Sequence, residues 1–169
     1  MSVGKNILIY VVEDNKLYNK MICQFLEKSG YKNVKTYLNG KDCVNDVAKG
    51  ESPDVVIQDY FLEDSDGIAV LQAVKKKSPN SEFVFLTANE NMDVAINSIK
   101  YGAYDYIIKD SDIALKKVVN KIEKITKMLE LKRRNKIIKQ AMIASLFIVI
   151  AIILFALLHV FFDAFGWQQ

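Results

Sequence analysis

Short, uninterrupted apolar runs alternate along the chain with longer stretches of helical amphipathic spacing. Asn6–Val12 reads as a buried strand that ends on Glu13-Asp14-Asn15. Lys16–Ser29 follows, with Leu17, Met21, Ile22, Phe25 and Leu26 near helical spacing and Gly30 as its stop. Val34–Tyr37 predicts a second strand, and Gly40–Lys49 a second helix with Val44 and Val47 inward. The strand Asp54–Gln58 ends on Asp59, and an acidic, turn-rich loop leads to Gly67. Ile68–Lys77 predicts a third helix, stopped before Ser78-Pro79-Asn80. Glu82–Leu86 is a fourth strand ending at Thr87-Ala88, and Met92–Tyr101 a fourth helix with Gly102 as its stop. Asp105–Ile108 is a fifth strand ending at Lys109, and a fifth helix starts near Ser111. Five strand–helix alternations predict an α/β fold: a doubly wound, five-stranded parallel sheet with right-handed crossovers, for which the order 2-1-3-4-5 is taken.

The fifth helix runs on past its expected end. Leu115, Val118, Ile122, Ile125 and Leu129 repeat at three and four residues, a seam that packs on the sheet over its first three turns. Beyond Met128 the helix is expected to leave the domain, with Leu129 and Leu131 available to a partner helix, including one from a second copy in a homodimer. A basic stretch, 129–140, leads into Ala141–Phe162, twenty-two residues without a formal charge. As a helix these span about 33 Å, close to the roughly 30 Å of a bilayer core. The Leu, Ile, Val and Phe residues between Ala141 and Val160 are worth roughly −4 to −8 kcal/mol for insertion. Residues 141–162 therefore predict one transmembrane helix.

Charge sets its direction. Residues 1–110 hold 13 basic and 16 acidic groups, whereas 111–139 hold 10 and 3. Lys132, Arg133, Arg134, Lys136 and Lys139 flank the amino side of the apolar run, and Asp163 the other. The positive-inside rule keeps domain 1–128 in the cytoplasm, with 163–169 as a short outer tail. Phe165 and Trp167 would anchor the outer interface, where His159 also falls. A basic helix in this position favours a membrane surface over nucleic acid. Cys23 and Cys43 read as small core residues, because the chain has no CxxC or His/Cys cluster. The opening Met-Ser-Val-Gly-Lys-Asn lacks the features of a secretory signal.

Four strand ends carry chemistry. In the order 2-1-3-4-5 the first and third strands are neighbours, so Glu13, Asp14 and Asp59 converge. Three crowded carboxylates repel one another unless a cation neutralises them, and a hard ion such as Mg²⁺ suits oxygen ligands. One carboxylate can then act as a nucleophile toward phosphorus. Lys109 offers a point charge, Thr87 a hydroxyl and Ala88 a backbone N–H to the transferring group.

The motifs Val-Val-Glu13-Asp14-Asn, Val-Val-Ile-Gln-Asp59 with Gly67 eight residues on, Phe-Leu-Thr87-Ala88 and Tyr106-Ile-Ile-Lys109 resemble the receiver domain of two-component response regulators. The resemblance covers about Lys5 to Leu129 and implies a flavodoxin-like fold. It implies phosphorylation of Asp59 by a histidine kinase or histidine phosphotransfer protein. It further implies Mg²⁺ held by Asp14, Asp59 and the backbone carbonyl of Phe61, with Glu13 acting through water. Thr87 and Tyr106 match the pair that reorients on phosphorylation and reshapes the face of the fourth helix, fifth strand and fifth helix. Two positions depart from the family pattern: Asp110 follows Lys109, and Glu63 stands four residues after Asp59, both where proline is usual.

The expected function is a membrane-tethered phosphoacceptor acting on an unidentified downstream protein, not an enzyme in the usual sense. The alternative is a membrane-anchored docking or dimerisation module that uses the same fold independently of phosphorylation. A phosphohydrolase with an aspartyl-phosphate intermediate commonly needs an acid two residues after the nucleophile, where this chain has Phe61.

Overall fold

The computed structural model describes residues 6–88, 90–110, 113–164 and 166. The chain divides into two compact units, 1–127 and 128–169. In the first, β1 (Ile9–Val12), β2 (Val34–Tyr37), β3 (Val55–Gln58), β6 (Glu82–Thr87) and β7 (Asp105–Ile108) form one sheet of order β2-β1-β3-β6-β7. Every pairing in it is parallel. The connecting helices are α1 (Lys16–Lys28), α2 (Gly40–Ala48), α3 (Gly67–Lys77) and α4 (Met92–Lys100). The doubly wound parallel sheet expected from the alternation, and the order 2-1-3-4-5 taken for it, are the ones observed.

Central strands of a parallel sheet are covered on both faces, which explains their continuous apolar runs. All of β1 and β3 and the last five residues of β6 are buried, whereas β2 and β7 at the edges are partly exposed. Tyr10, Val56, Leu71, Val74, Phe83 and Phe85 belong to the core on one face. The first strand starts at Ile9 rather than Asn6, and the strand after α3 extends one residue further than expected, so Thr87 lies inside the sheet.

Two expectations for the helices change. The Asn15 side chain caps α1 by accepting from the N–H groups of Leu17 and Tyr18. The helix then buries Asn19, Ile22 and Leu26, while Leu17 is 82% exposed and Met21 is also exposed. The inward phase is fixed by Asn19, whose Nδ2 donates to the carbonyls of Glu13 and Tyr37, both at 3.1 Å. In α2 the inward residues are Cys43 and Val47, with Val44 only half-buried. Cys23 is likewise half-buried rather than in the core.

The loop after Asp59 is more ordered than its composition suggests. It folds into a two-stranded antiparallel hairpin, β4 (Phe61–Leu62) with β5 (Ser65–Asp66). Gly67 N then donates to Tyr60 O at 2.9 Å as α3 begins.

A further helix, α5, runs Ile113–Ala164. Within the first unit it buries Ala114, Leu115, Val118, Ile122 and Ile125. In the second unit Leu129 is also buried, which corrects the expectation that it would be free for a partner, while Leu131 is exposed. Leu129 continues the three-and-four stripe of the buried residues before it. Residues 131–162 are exposed throughout, and the helix is long and apolar enough by length and composition to be a candidate membrane span. The Phe165 and Trp167 anchor, the helix start near Ser111 and most of the 163–169 tail lie outside the described residues, as does the side chain of Asp163.

Candidate functional site

Register brings the site together. Val12 pairs with Gln58, Gln58 with Phe85, and Thr87 with Ile108. The residues that follow the last residues of these strands, Glu13, Asp59, Ala88 and Lys109, therefore share one edge of the sheet, at the carboxyl ends of its strands. Backbone bonds continue the ladder there: Glu13 N donates to Tyr37 O, Asp59 N to Val12 O and Lys109 N to Thr87 O, at 2.8–3.0 Å.

Glu13, Asp14 and Asp59 each offer a carboxylate oxygen within 4.8 Å of the others. The cluster offers only hard carboxylate oxygens, the donor type that an ion such as Mg²⁺ takes. The three carboxylates have different surroundings. Glu13 is 2% exposed, and burial pushes its carboxyl above the usual range even though the Lys109 ammonium pulls the other way. Asp14 is half-buried and its Oδ2 accepts from Glu63 N at 3.2 Å. The Oδ1 of Asp59 accepts from Phe61 N at 3.3 Å, which folds the start of the hairpin back toward that carboxylate.

Lys109 links the carboxylates. Its Nζ donates to Glu13 Oε2 and to Asp59 Oδ2, both at 2.6 Å, with little of its side chain exposed. Such charge-assisted bonds are short and strong. Thr87 is fully buried, and its side chain shares a hydrogen bond with the Tyr106 phenol. Tyr106 itself is half-buried, with its ring 6.4 Å from that of Phe85. Burial, then the nearby Tyr60 and Asp59, raise the Tyr106 phenol above its ordinary range. Ala88 is exposed at the strand end beside Lys109.

Three supports were not visible as site residues in the sequence. Tyr18 places its ring 4.5 Å from the Lys109 ammonium. Asp64 accepts from the backbone N–H groups of Gly40 and Lys41 at 3.0 and 3.1 Å, so the loop after Asp59 is tied to the start of α2. Burial opposes ionisation of Asp64, yet these two N–H groups and the Ser65 hydroxyl leave its carboxyl below the ordinary range. Gln58 Nε2 donates to Gly67 O at 3.1 Å and closes the far end of the same loop. The only advance signals were a capping Asn three residues before Tyr18 and an Asp in an acidic loop, both common in sites without function.

A doubly wound parallel sheet with an acid pair after its first strand, an aspartate after its third and a lysine after its last defines a receiver-type phosphoacceptor site. Residues 9–123 match the family model for the response regulator receiver domain, and the chain belongs to that family. Its members are phosphoacceptors of two-component signalling. The chain is 37% identical over 91 residues to the regulatory protein LuxO of Vibrio cholerae, covering 53% of this chain and 20% of that protein. It is 29% identical over 125 residues to the chemotaxis protein CheY of Thermotoga maritima, covering 74% of this chain and all of that one. Among solved structures, the BeF3-activated DrrB receiver domain superposes with a TM-score of 0.63 at 26% identity, covering 70% of this chain and 96% of that one. The matched region is only about a fifth of LuxO, so the likeness to that protein concerns one of its parts.

Proposed function

We propose that the chain is a membrane-tethered receiver that accepts a phosphoryl group on Asp59 and signals through the face formed by α4, β7 and the first turns of α5. The observation that carries this reading is the Lys109 ammonium held at 2.6 Å from both Glu13 and Asp59 within one acidic cluster. An Asp59 oxygen attacks the phosphorus of a phosphohistidine on a kinase or phosphotransfer protein. The P–N bond breaks, the electron pair leaves with the imidazole, and an acyl phosphate remains on Asp59. Glu13, Asp14, Asp59 and the Phe61 carbonyl would hold Mg²⁺, which when bound supplies positive charge to the phosphoryl oxygens. Lys109 neutralises a phosphoryl oxygen from the end of β7, and the Ala88 N–H donates to another.

The Thr87 hydroxyl turns toward the new phosphoryl and gives up its bond to Tyr106, whose ring then reorients. Turning the Asp59 carboxylate into an acyl phosphate adds about one negative charge and a set of strong acceptor oxygens, which bias a two-state face of this kind. Residues 1–128 form the receiver, 129–140 a basic stalk and 141–162 the span, with the receiver on the cytoplasmic side. Tethering raises the effective concentration of the receiver near a membrane-bound kinase or target.

Incubation with acetyl phosphate and Mg²⁺ tests the chemistry. The parent chain is expected to take up acid-stable, base-labile label, and Asp59→Asn none; equal labelling of the two would sink the reading. The tether is tested by alkaline carbonate extraction of membranes. The full chain is expected to stay with the lipid and a chain ending before Ala141 to wash off.

A further inference from the structure

Among the described residues, Lys109 faces two charged groups and one aromatic ring. Its ammonium donates to Glu13 Oε2 and Asp59 Oδ2, and it also stands over the ring of Tyr18, 4.5 Å from the centroid. A cation within about 6 Å of an aromatic face is attracted to the negative centre of the ring quadrupole. The Tyr18 backbone is anchored at the start of α1. Its N–H is bonded to the capping Asn15 side chain at 3.0 Å, and the adjacent Asn19 is buried with its amide tied to the ends of β1 and β2. The ring is thus carried on a helix start registered to the same strand end that supplies Glu13.

We infer that Tyr18 is a positioning residue for phosphoryl transfer, its ring face acting as a shelf that keeps the Lys109 ammonium in place while the charges around it change. This rests on the receiver reading given above. A lysine side chain has four rotatable carbons and a strongly hydrated head, so it wanders unless its contacts persist. Both carboxylate contacts are altered during the reaction, since Asp59 becomes an acyl phosphate and the acidic cluster is the proposed cation site. The ring does not change charge. Its phenol is pushed up to about 12, by burial first and then by the nearby Glu13, Asp59 and Asp110. It therefore stays neutral across the working pH range, and the contact at its face persists when the others are lost.

The face of the ring, not the hydroxyl, is the part that matters, and this makes the inference testable on the full-length chain in detergent. Maximal rates of labelling by acetyl phosphate at saturating Mg²⁺ are compared for the parent, Tyr18→Phe and Tyr18→Leu. Tyr18→Phe is expected within about twofold of the parent and Tyr18→Leu about fivefold slower, the scale of a partly desolvated cation–π contact. In a Lys109→Ala background, Tyr18→Leu is expected to add no further loss, because the two changes remove one contact. Equal loss in the Phe and Leu variants, or a full additional loss in the Lys109→Ala background, would overturn the inference and leave an ordinary packing role.

One measurement needs no variant at all. The Lys109 ε-methylene protons of the parent are expected to be shifted upfield by the ring current, and their absence from that region would overturn the inference even if Tyr18→Leu fails to fold. Failure of the receiver reading looks different: neither the parent nor any Tyr18 variant would label above Asp59→Asn.

Discussion

Lys109→Met is expected to destabilise the protein by about 3–5 kcal/mol at neutral pH, the cost of leaving a buried charge without its partner. The partner left unpaired is Glu13, which has almost no access to water and lies beside Asp14 and Asp59. Burial already holds the Glu13 carboxyl above its ordinary range, with Lys109 as the chief counterweight. Without the lysine the native value rises further. Between the ordinary carboxylate value and the native one, the folded protein binds more protons than the unfolded chain, so stability falls as pH rises. Below the ordinary value Glu13 is protonated in both states and the deficit disappears. The loss in Lys109→Met is therefore expected to be largest at neutral pH and to shrink in acid. Added Mg²⁺ or the second change Glu13→Gln is expected to recover most of it. Denaturant titrations at several pH values read this directly, and a deficit that does not vary with pH would refute the electrostatic account. Labelling of Asp59 is expected to slow by about 10²-fold in the same variant, as for other preorganised donors to a transferring group.

The features that were legible in the sequence are those a strand makes visible. An apolar run that stops on a carboxylate or a lysine is a one-dimensional signal. Alternation with helices gives a parallel sheet, and with the flavodoxin-like order 2-1-3-4-5 Glu13, Asp59 and Lys109 fall on one edge. Hydropathy failed where a polar side chain does the packing. In α1 it pointed to Leu17 and Met21, yet the helix turns Asn19 inward, where its amide donates to the carbonyls of Glu13 and Tyr37 at two strand ends. Those acceptors belong to the backbone and leave no trace in composition. Tyr18 went unnoticed for the same reason, since its position beside Lys109 depends on a helix phase that only the cap and Asn19 determine. The hairpin between Asp59 and Gly67 was equally hidden, as strands of two residues carry no periodicity.

The departure at Glu63, where the family usually has proline, bears on how that loop keeps its shape. Here the loop is held by bonds rather than by a ring-locked backbone angle. Asp64 grips the start of α2, Glu63 N meets Asp14, Phe61 N meets Asp59, and Gln58 and Tyr60 both close on Gly67. Two of these five ties end on carboxylates of the cluster itself, so loop shape and site charge are coupled in this chain. Adding a cation or a phosphoryl group to the cluster changes the acceptors that hold the loop.

Gly67→Ala tests how stiff this arrangement is, and it is expected to cost about 2 kcal/mol, within the usual range for forcing a methyl group into a filled space. A Cβ at Gly67 would lie 2.7 Å from Tyr60 O, 2.8 Å from Phe85 Cε1 and 3.0 Å from Gln58 Nε2. None of the three can easily withdraw. Tyr60 O is bonded to Gly67 N, Gln58 is bonded to Gly67 O, and the Phe85 ring is fully buried with Tyr60 and Tyr106 at 5.6 and 6.4 Å. The strain is relieved most easily by moving the hairpin away from α3, which shifts Phe61 and the Asp59 carboxylate together. Two losses are therefore expected: a lower denaturant midpoint with an unchanged slope, and slower labelling of Asp59 at a given Mg²⁺ concentration. A lowered midpoint with parental labelling would mean that α3 yields and the hairpin stays. An unchanged midpoint would show a loop soft enough to absorb a methyl group, and the bonds described here would then not be what holds the phosphoacceptor in place.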